Sequence, residues 1–400
     1  MQPHLLDRRG FLTCAGCAVA GGSLALAGFA GGARAATRPD RTLVLLHLSG
    51  GNDGLNTVIP FADPAYAKLR PKIGIAPDKV VTLSPSLGLH PALASLQPAW
   101  AAKDMAIVLG LGYPNPDFSH FRSGDIWQSG SGSDQTMSDG WAGRLFVNGG
   151  MASQAVADTV IVNTGAGAAF QASGATSVVL QNGTLNTGWI QAPVAGSASR
   201  PASLQGVLAS DAEIIAAAAG LKPVSGVTLP VTFPKTSIGN TLAEAARIIL
   251  SGVTVPAIAA QDGSYDSHHD QLTMQNQRLT DLGAAIAAFR DTLIGAGKWD
   301  KVLLMTFAEF GRRAYENGSG GTDHGTANAH FLLGGGVQGG FYGTYPSLTD
   351  LDNGNLKFTT DYRQLYSTVG TSWWGVPASA VAASFTSFPA LPLIRNPASI

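Results

Sequence analysis

Thr42-Leu43-Val44-Leu45-Leu46-His47-Leu48, followed at once by Ser49-Gly50-Gly51-Asn52-Asp53-Gly54, is the stretch on which the fold turns. A continuous apolar run of this length fits a strand buried on both faces, as in a parallel sheet. The glycines behind it let the backbone turn sharply and approach a ligand closely. The same grammar recurs downstream. Ala106 to Leu111, Lys301 to Thr306 and His330 to Leu333 read as further buried strands. Helical patterns lie between them at Pro91 to Lys103, Ser119 to Gln128, Ser203 to Ala219, Ser237 to Leu250 and Gln271 to Ile294. In the last of these Leu272, Leu279, Leu282, Ile286, Phe289 and Leu293 recur at three- and four-residue steps, giving one apolar face. Asp361 to Trp374 reads as a closing helix that starts at a capping Asp. Strands alternating with helices predict an α/β fold, a mostly parallel sheet with helices on both faces. Residues 163–199, rich in Gly, Ala, Ser and Thr, read as a Gly-rich insertion or lid.

The ends and the composition bound the rest. Arg8-Arg9-Gly10-Phe11-Leu12, an apolar run from Thr13 to Ala30 and Ala33-Arg34-Ala35 form a twin-arginine signal peptide over residues 1–35. It predicts passage through the twin-arginine translocase and a periplasmic or secreted protein, with one α/β domain over 36–400. Both cysteines, Cys14 and Cys17, lie inside the signal, so the mature chain has neither disulfides nor thiolate ligands. Any metal must be held by His, Asp or Glu. Removing Arg8, Arg9, Arg34 and Asp7 leaves 22 basic and 25 acidic residues. That balance argues against a nucleic-acid partner, and no apolar run long enough for a stable membrane span remains.

Five segments carry polar groups suited to chemistry. Asp53 follows the first strand, where it suits a metal ligand or a turn made through its own backbone. Ser119 starts a helix, as an N-cap or as a hydroxyl nucleophile beside helix amides, with His120 and Arg122 next to it. Asp266-Ser267-His268-His269-Asp270 is the densest cluster of imidazole and carboxylate, a donor set for zinc or another divalent ion. Glu309, just beyond a buried strand, suits a metal ligand, a general base or a salt bridge with Arg312. Asp323-His324 between glycines presents two ligands on a tight loop. His47 and His330 read as packing histidines, and His90 as a helix cap or an outer-shell residue.

Gly50-Gly51-Asn52-Asp53-Gly54-Leu55-Asn56, Ser119-His120-Phe121, Asp266-Ser267-His268, Glu309-Phe310-Gly311-Arg312 and Gly321-Thr322-Asp323-His324-Gly325, in this order, resemble the exported bacterial family catalogued as domain of unknown function 1501. That family is in turn distantly similar to the alkaline phosphatase, sulfatase and cofactor-independent phosphoglycerate mutase superfamily. The resemblance implies an alkaline-phosphatase-like three-layer α/β sandwich and a metal-dependent hydrolase of phosphate or sulfate esters. In that scheme Ser119 is the nucleophile, and Asp53, Asp266, His268 or His269, Asp323 and His324 supply the metal ligands. Arg122 or Arg312 orients a small anionic ester, and zinc or manganese, as one or two ions, is the cofactor. Two departures stand out: Glu309-Phe310 replaces the superfamily's Asp-His, and Asp266 and His268 are two residues apart instead of four. A single ion or a rearranged pair fits as well as the usual two-metal centre, and a non-catalytic binding or assembly protein is the competing reading.

Overall fold

The computed structural model describes residues 37–38, 40–152, 156–163, 167–181, 184–185 and 215–395. The expected signal segment lies outside them. So do most of the helix expected over 203–219 and part of the stretch 163–199.

The main strands and helices run in the order β1 (Thr42–Leu48), β2 (Met105–Gly112), α1 (His120–Ser129), α2 (Trp141–Asn148), β3 (Thr159–Val162), β4 (Ser177–Gln181), α3 (Ser237–Leu250), β5 (Ala257–Asp262), α4 (Gln271–Gly295), β6 (Val302–Phe307), β7 (Asn328–Leu333), β8 (Gly340–Tyr342) and α5 (Arg363–Ser367). The strands form one sheet in the order β8-β2-β7-β6-β1-β5-β3-β4. β1 lies at its centre, parallel to β6 on one side and to β5 on the other. Among these strands only β7 is reversed, antiparallel to both β6 and β2. β4 falls within the Gly-rich stretch and pairs in parallel with β3, so this described part of the stretch extends the sheet.

The two faces of β1 show why its run is apolar throughout. Val44, Leu46 and Leu48 pack with Leu242 of α3 and with Leu279, Leu282, Ile286, Phe289 and Leu293 of α4. Leu43 and Leu45 pack on the other side with Trp127 of α1, Phe146 of α2 and Trp373. Alternate side chains of a strand point to opposite faces, so both sets need a helix layer. Each fully buried leucine contributes about 1.5–3 kcal/mol. Leu272 falls outside the α4 seam and is 43% exposed, in the first turn beside the polar loops. The expected helix over 91–103 is two pieces, a 3-10 turn Pro91–Leu96 and an α-helix Gln97–Ala101, with Pro98 in the second piece's first turn. The closing helix is α5 followed by a π-helical segment, Thr368–Trp373. Among the described residues no helix is long and apolar enough to cross a membrane.

Candidate metal centre

The parallel arrangement brings the loops after β1, β5 and β6 to one edge of the sheet, where ligands collect in open α/β sheets. Gly50 makes the close approach possible: its φ is +110°, and a Cβ there would lie 2.5 Å from the Asp266 amide nitrogen. Arg312 ties the loops together. It is 2% exposed and donates from Nε to the Gly51 carbonyl at 2.7 Å and from Nη1 to the Thr322 carbonyl at 2.9 Å. Its Nη2 donates to the Gly50 carbonyl and to Asp266 Oδ1, the latter at 2.6 Å. With its donors thus engaged, Arg312 is a brace for the site's backbone, and the anion-orienting role expected of it is not what the fold gives it.

Asp266 is the hub. Nε2 of His268 and Nε2 of His324 each lie 3.2 Å from its Oδ1, and Nε2 of His120 lies 3.4 Å from Oδ2. Ligand atoms of His120, Asp266 and His324 all fall within 4.8 Å of one another. The opposite nitrogen of each ring is held from behind. Nδ1 of His120 is 2.8 Å from Glu309 Oε1, Nδ1 of His268 is 3.3 Å from Asp323 Oδ1, and Nδ1 of His324 is 2.7 Å from the Phe118 carbonyl. All three partners are acceptors, so by these contacts Nδ1 carries the proton in each neutral ring and Nε2 carries the lone pair. Such backing by a carboxylate or carbonyl is how proteins orient metal-binding histidines.

The donor chemistry fits a divalent ion. Nε2 of His268 and Nε2 of His324 face each other at 3.0 Å. With both Nδ1 atoms protonated, two lone pairs meet there, an arrangement that a shared cation relieves. Burial raises the Asp266 carboxyl, yet the hydrogen bond and charge of Arg312, with His324 and His268, outweigh it and hold the group at about 2. Glu309 is 2% exposed; burial raises it too, but His47 and His120 bring it to about 2. His324 lies below the ordinary imidazole range because burial disfavours its charged form. Both carboxylates are therefore anionic at neutral pH, and an N/O donor set without thiolate suits zinc or manganese.

The sequence-derived residues divide accordingly. The fold brings together His120, Asp266, His268 and His324, with Glu309 and Asp323 behind the rings as orienting groups and not as ligands. Both oxygens of Glu309 have protein partners: Oε1 also accepts from the Gly50 amide at 2.9 Å, and Oε2 lies 2.9 Å from His47 Nε2. Asp323 also accepts from Asn317 Nδ2, which lowers its carboxyl further. His269 is exposed and outside the cluster. Asp53 is placed elsewhere: it caps the short helix Gly54–Thr57 through the Leu55 and Asn56 amides and pairs at 2.5 Å with buried Arg70. Gln271 Nε2 donates at 2.5 Å to Oδ2, the oxygen that Arg70 also holds. That full set of protein partners overrides the ligand role expected of Asp53. Ser119 is the N-cap of α1, its hydroxyl 3.5 Å from the Arg122 amide, and it is exposed. Arg122 donates to the carbonyls of Ser133 and Gln135, at 2.9 and 2.6 Å, and so is turned to its own loop.

His330 is a packing residue as read, its ring fully buried against Thr306 and the Ala308 amide, and burial pushes it down to about 3. His90 caps the turn after it by accepting from the Ala92 amide, and burial lowers it to about 4. His47 is more than the packing histidine expected. It lines an open cleft of about 520 Å³ beside the cluster, together with His120, Gln128, Gln261, Asp266 and Glu309. A histidine at the carboxyl end of a central strand was the available signal, since side chains there face the ligand edge of the sheet.

The profile of the family described as "Protein of unknown function (DUF1501)" matches residues 110–384. No curated protein matches the chain in sequence. Solved structures match it by structure, at low sequence identity. A protein in the alkaline phosphatase superfamily from Vibrio parahaemolyticus is 12% identical over 76% of this chain, with a TM-score of 0.36. The chain spans 62% of that protein's length. The PsFucS1 sulfatase from Pseudoalteromonas sp. is 12% identical, with 85% of this chain and 68% of the sulfatase covered and a TM-score of 0.36. The C-terminal periplasmic domain of EcEptC from Escherichia coli, in complex with zinc, is 11% identical, with 74% and 72% covered and a TM-score of 0.34.

Proposed function

The chain belongs to the DUF1501 family, and from that premise we propose that it is an exported, metal-dependent hydrolase of phosphate or sulfate esters. One observation carries the reading: three imidazole Nε2 atoms converge on the Asp266 carboxylate, each ring held from behind at Nδ1. His120, Asp266, His268 and His324 would hold the ion, zinc or manganese. When bound, it supplies a positive charge against the ester oxygens and lowers the pKa of a nearby hydroxyl. The protein's own part is to keep that donor set rigid. Arg312 and Gly50 set the position of Asp266, Glu309 sets the His120 ring, and the cleft admits the ester. Ser119, adjoining His120 at the start of α1, is the proposed nucleophile. The ester class rests on the order of the motifs along the chain. Export by the twin-arginine translocase and work in the periplasm rest on the first 35 residues.

A non-catalytic binding or assembly role is the second reading. It is favoured by the exposed Ser119 hydroxyl, which acts as a helix cap. Metal analysis of the exported protein, together with a panel of phosphate and sulfate esters, separates the two. The hydrolase reading expects about one ion per chain and turnover, with both lost in Asp266→Ala combined with His268→Ala. Bound metal without turnover of any ester selects the binding role. Retention of the metal by the double variant would remove the proposed centre altogether.

A further inference from the structure

His47 sits second from the end of β1, and its place in the cleft goes beyond packing. Its side chain is 14% exposed and lies in the cleft wall with Gln128, Gln261 and Asp266. The ring stacks on Phe307, centroids 4.5 Å apart and planes 12° from parallel, so its orientation is set by contact. Nε2 lies 2.9 Å from Oε2 of buried Glu309. A carboxylate there fixes Nε2 as the N–H of the neutral ring and stabilises the imidazolium, as in a carboxylate–histidine catalytic pair. Nδ1 makes no hydrogen bond to another described residue. Glu309 thus joins two rings: through Oε1 it holds His120, and through Oε2 it holds His47.

We propose that His47 is the general acid–base residue of the ester hydrolysis, with Glu309 as the residue that positions it. The inference rests on the hydrolase reading. In the first half-reaction the Ser119 oxygen, its proton lost to solvent, bonds to phosphorus or sulfur as the bond to the leaving alkoxy oxygen breaks. The Nδ1 proton of the His47 imidazolium passes to that oxygen, so an alcohol departs and a neutral ring remains. In the second half Nδ1 takes a proton from water as the water oxygen bonds to phosphorus or sulfur and the bond to Ser119 breaks. This restores the imidazolium, and the serine oxygen regains its proton from solvent. The titratable groups facing His47 are Glu309, the buried His330, and, around the cleft, Asp125, His120 and Asp266.

Alkyl alcohols leave badly as alkoxides, whereas p-nitrophenolate leaves well, and a general acid contributes about 10²–10⁴-fold where it is needed. The test compares an alkyl and a p-nitrophenyl ester of the same acid, in wild type, His47→Gln and His47→Asn. The glutamine keeps an N–H toward Glu309. Bound metal and the melting midpoint are read on the same samples. The expected result is an alkyl-to-aryl rate ratio lower by about 100-fold or more in both variants, with the metal retained. The alkaline limb of the alkyl-ester kcat/KM profile should also disappear. Equal losses on the two esters, or loss of the metal in both variants, would make His47 a structural residue and overturn the proposal alone. A metal-loaded wild type that hydrolyses neither ester overturns the hydrolase reading and this inference with it.

Discussion

Asp53 and Asp266 occupy similar places in the chain and opposite places in the fold. Asp53 follows the central strand and Asp266 its parallel neighbour, and each pairs with a buried arginine, Arg70 at 2.5 Å and Arg312 at 2.6 Å. The Asp53 side chain is 1% exposed, whereas that of Asp266 is 41% exposed. Around Asp53 two backbone amides, Arg70 and Gln271 take up the four or so acceptor positions of a carboxylate. Around Asp266 one oxygen is braced by Arg312, and the remaining neighbours are imidazole nitrogens that carry lone pairs. A buried ionic group whose partners are complete is architecture. A half-exposed one with an incomplete set of donors is a place for a ligand.

Substitutions at the two aspartates should therefore fail in different ways. The largest effect is expected at the open site. His324→Ala should lower ester turnover by about 10³-fold or more and abolish stoichiometric metal, read by elemental analysis, with the fold kept; Asp266→Ala should do the same and also lose stability, because it leaves buried Arg312 without its counter-charge. An Asp266→Ala protein that retains the metal would break the contrast. Next comes Asp53→Ala, which leaves Arg70 buried without its counter-charge. It should lose about 3–5 kcal/mol of stability in denaturant unfolding, while the molecules that remain folded still bind metal.

Acid sharpens the comparison further. His90 and His330, ordinarily near 6.5, are held at about 4 and about 3 in the fold. They stay neutral in the folded chain while the unfolded chain takes protons. Their contribution to stability is present above pH 6.5 and is lost as pH falls through these folded values. Glu309 and Asp266, lowered to about 2 from 4.5 and 3.8, add a second loss that begins below about pH 4.5 and is complete below about pH 2. Unfolding midpoints should be level between pH 7 and roughly pH 9, below the ordinary tyrosine range, and decline in two stages below pH 7. A single stage confined to pH below 4 would show that the buried histidines take no part. The smallest effect is on stability at Ser119. Ser119→Ala should cost about 1 kcal/mol as a lost cap, whereas turnover falls by about 10³-fold if its hydroxyl attacks the ester. A stability loss with turnover intact would return Ser119 to architecture.

Much of this was legible in the chain. The run 42–48 announces a central strand, and the three- and four-residue spacing of Leu279, Leu282, Ile286, Phe289 and Leu293 announces α4 and its buried face. The dense polar segments also single out Asp266, His268, His324 and His120, side chains that the fold brings next to one another. What was not legible was partnership across distance. Arg70 lies in a stretch that carries no motif, so nothing local reveals that it neutralises Asp53. In sequence His47 reads as packing because its strand is apolar on both sides, and only the position of Glu309, 262 residues away, turns its ring into a candidate for proton transfer.

Sequence alone determined the parts: an α/β alternation, cysteines confined to positions 14 and 17, and carboxylates and imidazoles held at strand ends. Those properties are local, set by side-chain type and by periods of two and 3.6 residues. Tertiary structure decided the roles. Whether a carboxylate is saturated or open, which nitrogen of a ring keeps its lone pair, and which arginine braces the backbone depend on groups brought together from distant loops. Burial fixes the cost of leaving such groups unpaired, and so the fold, not the motif, separates Asp53 from Asp266.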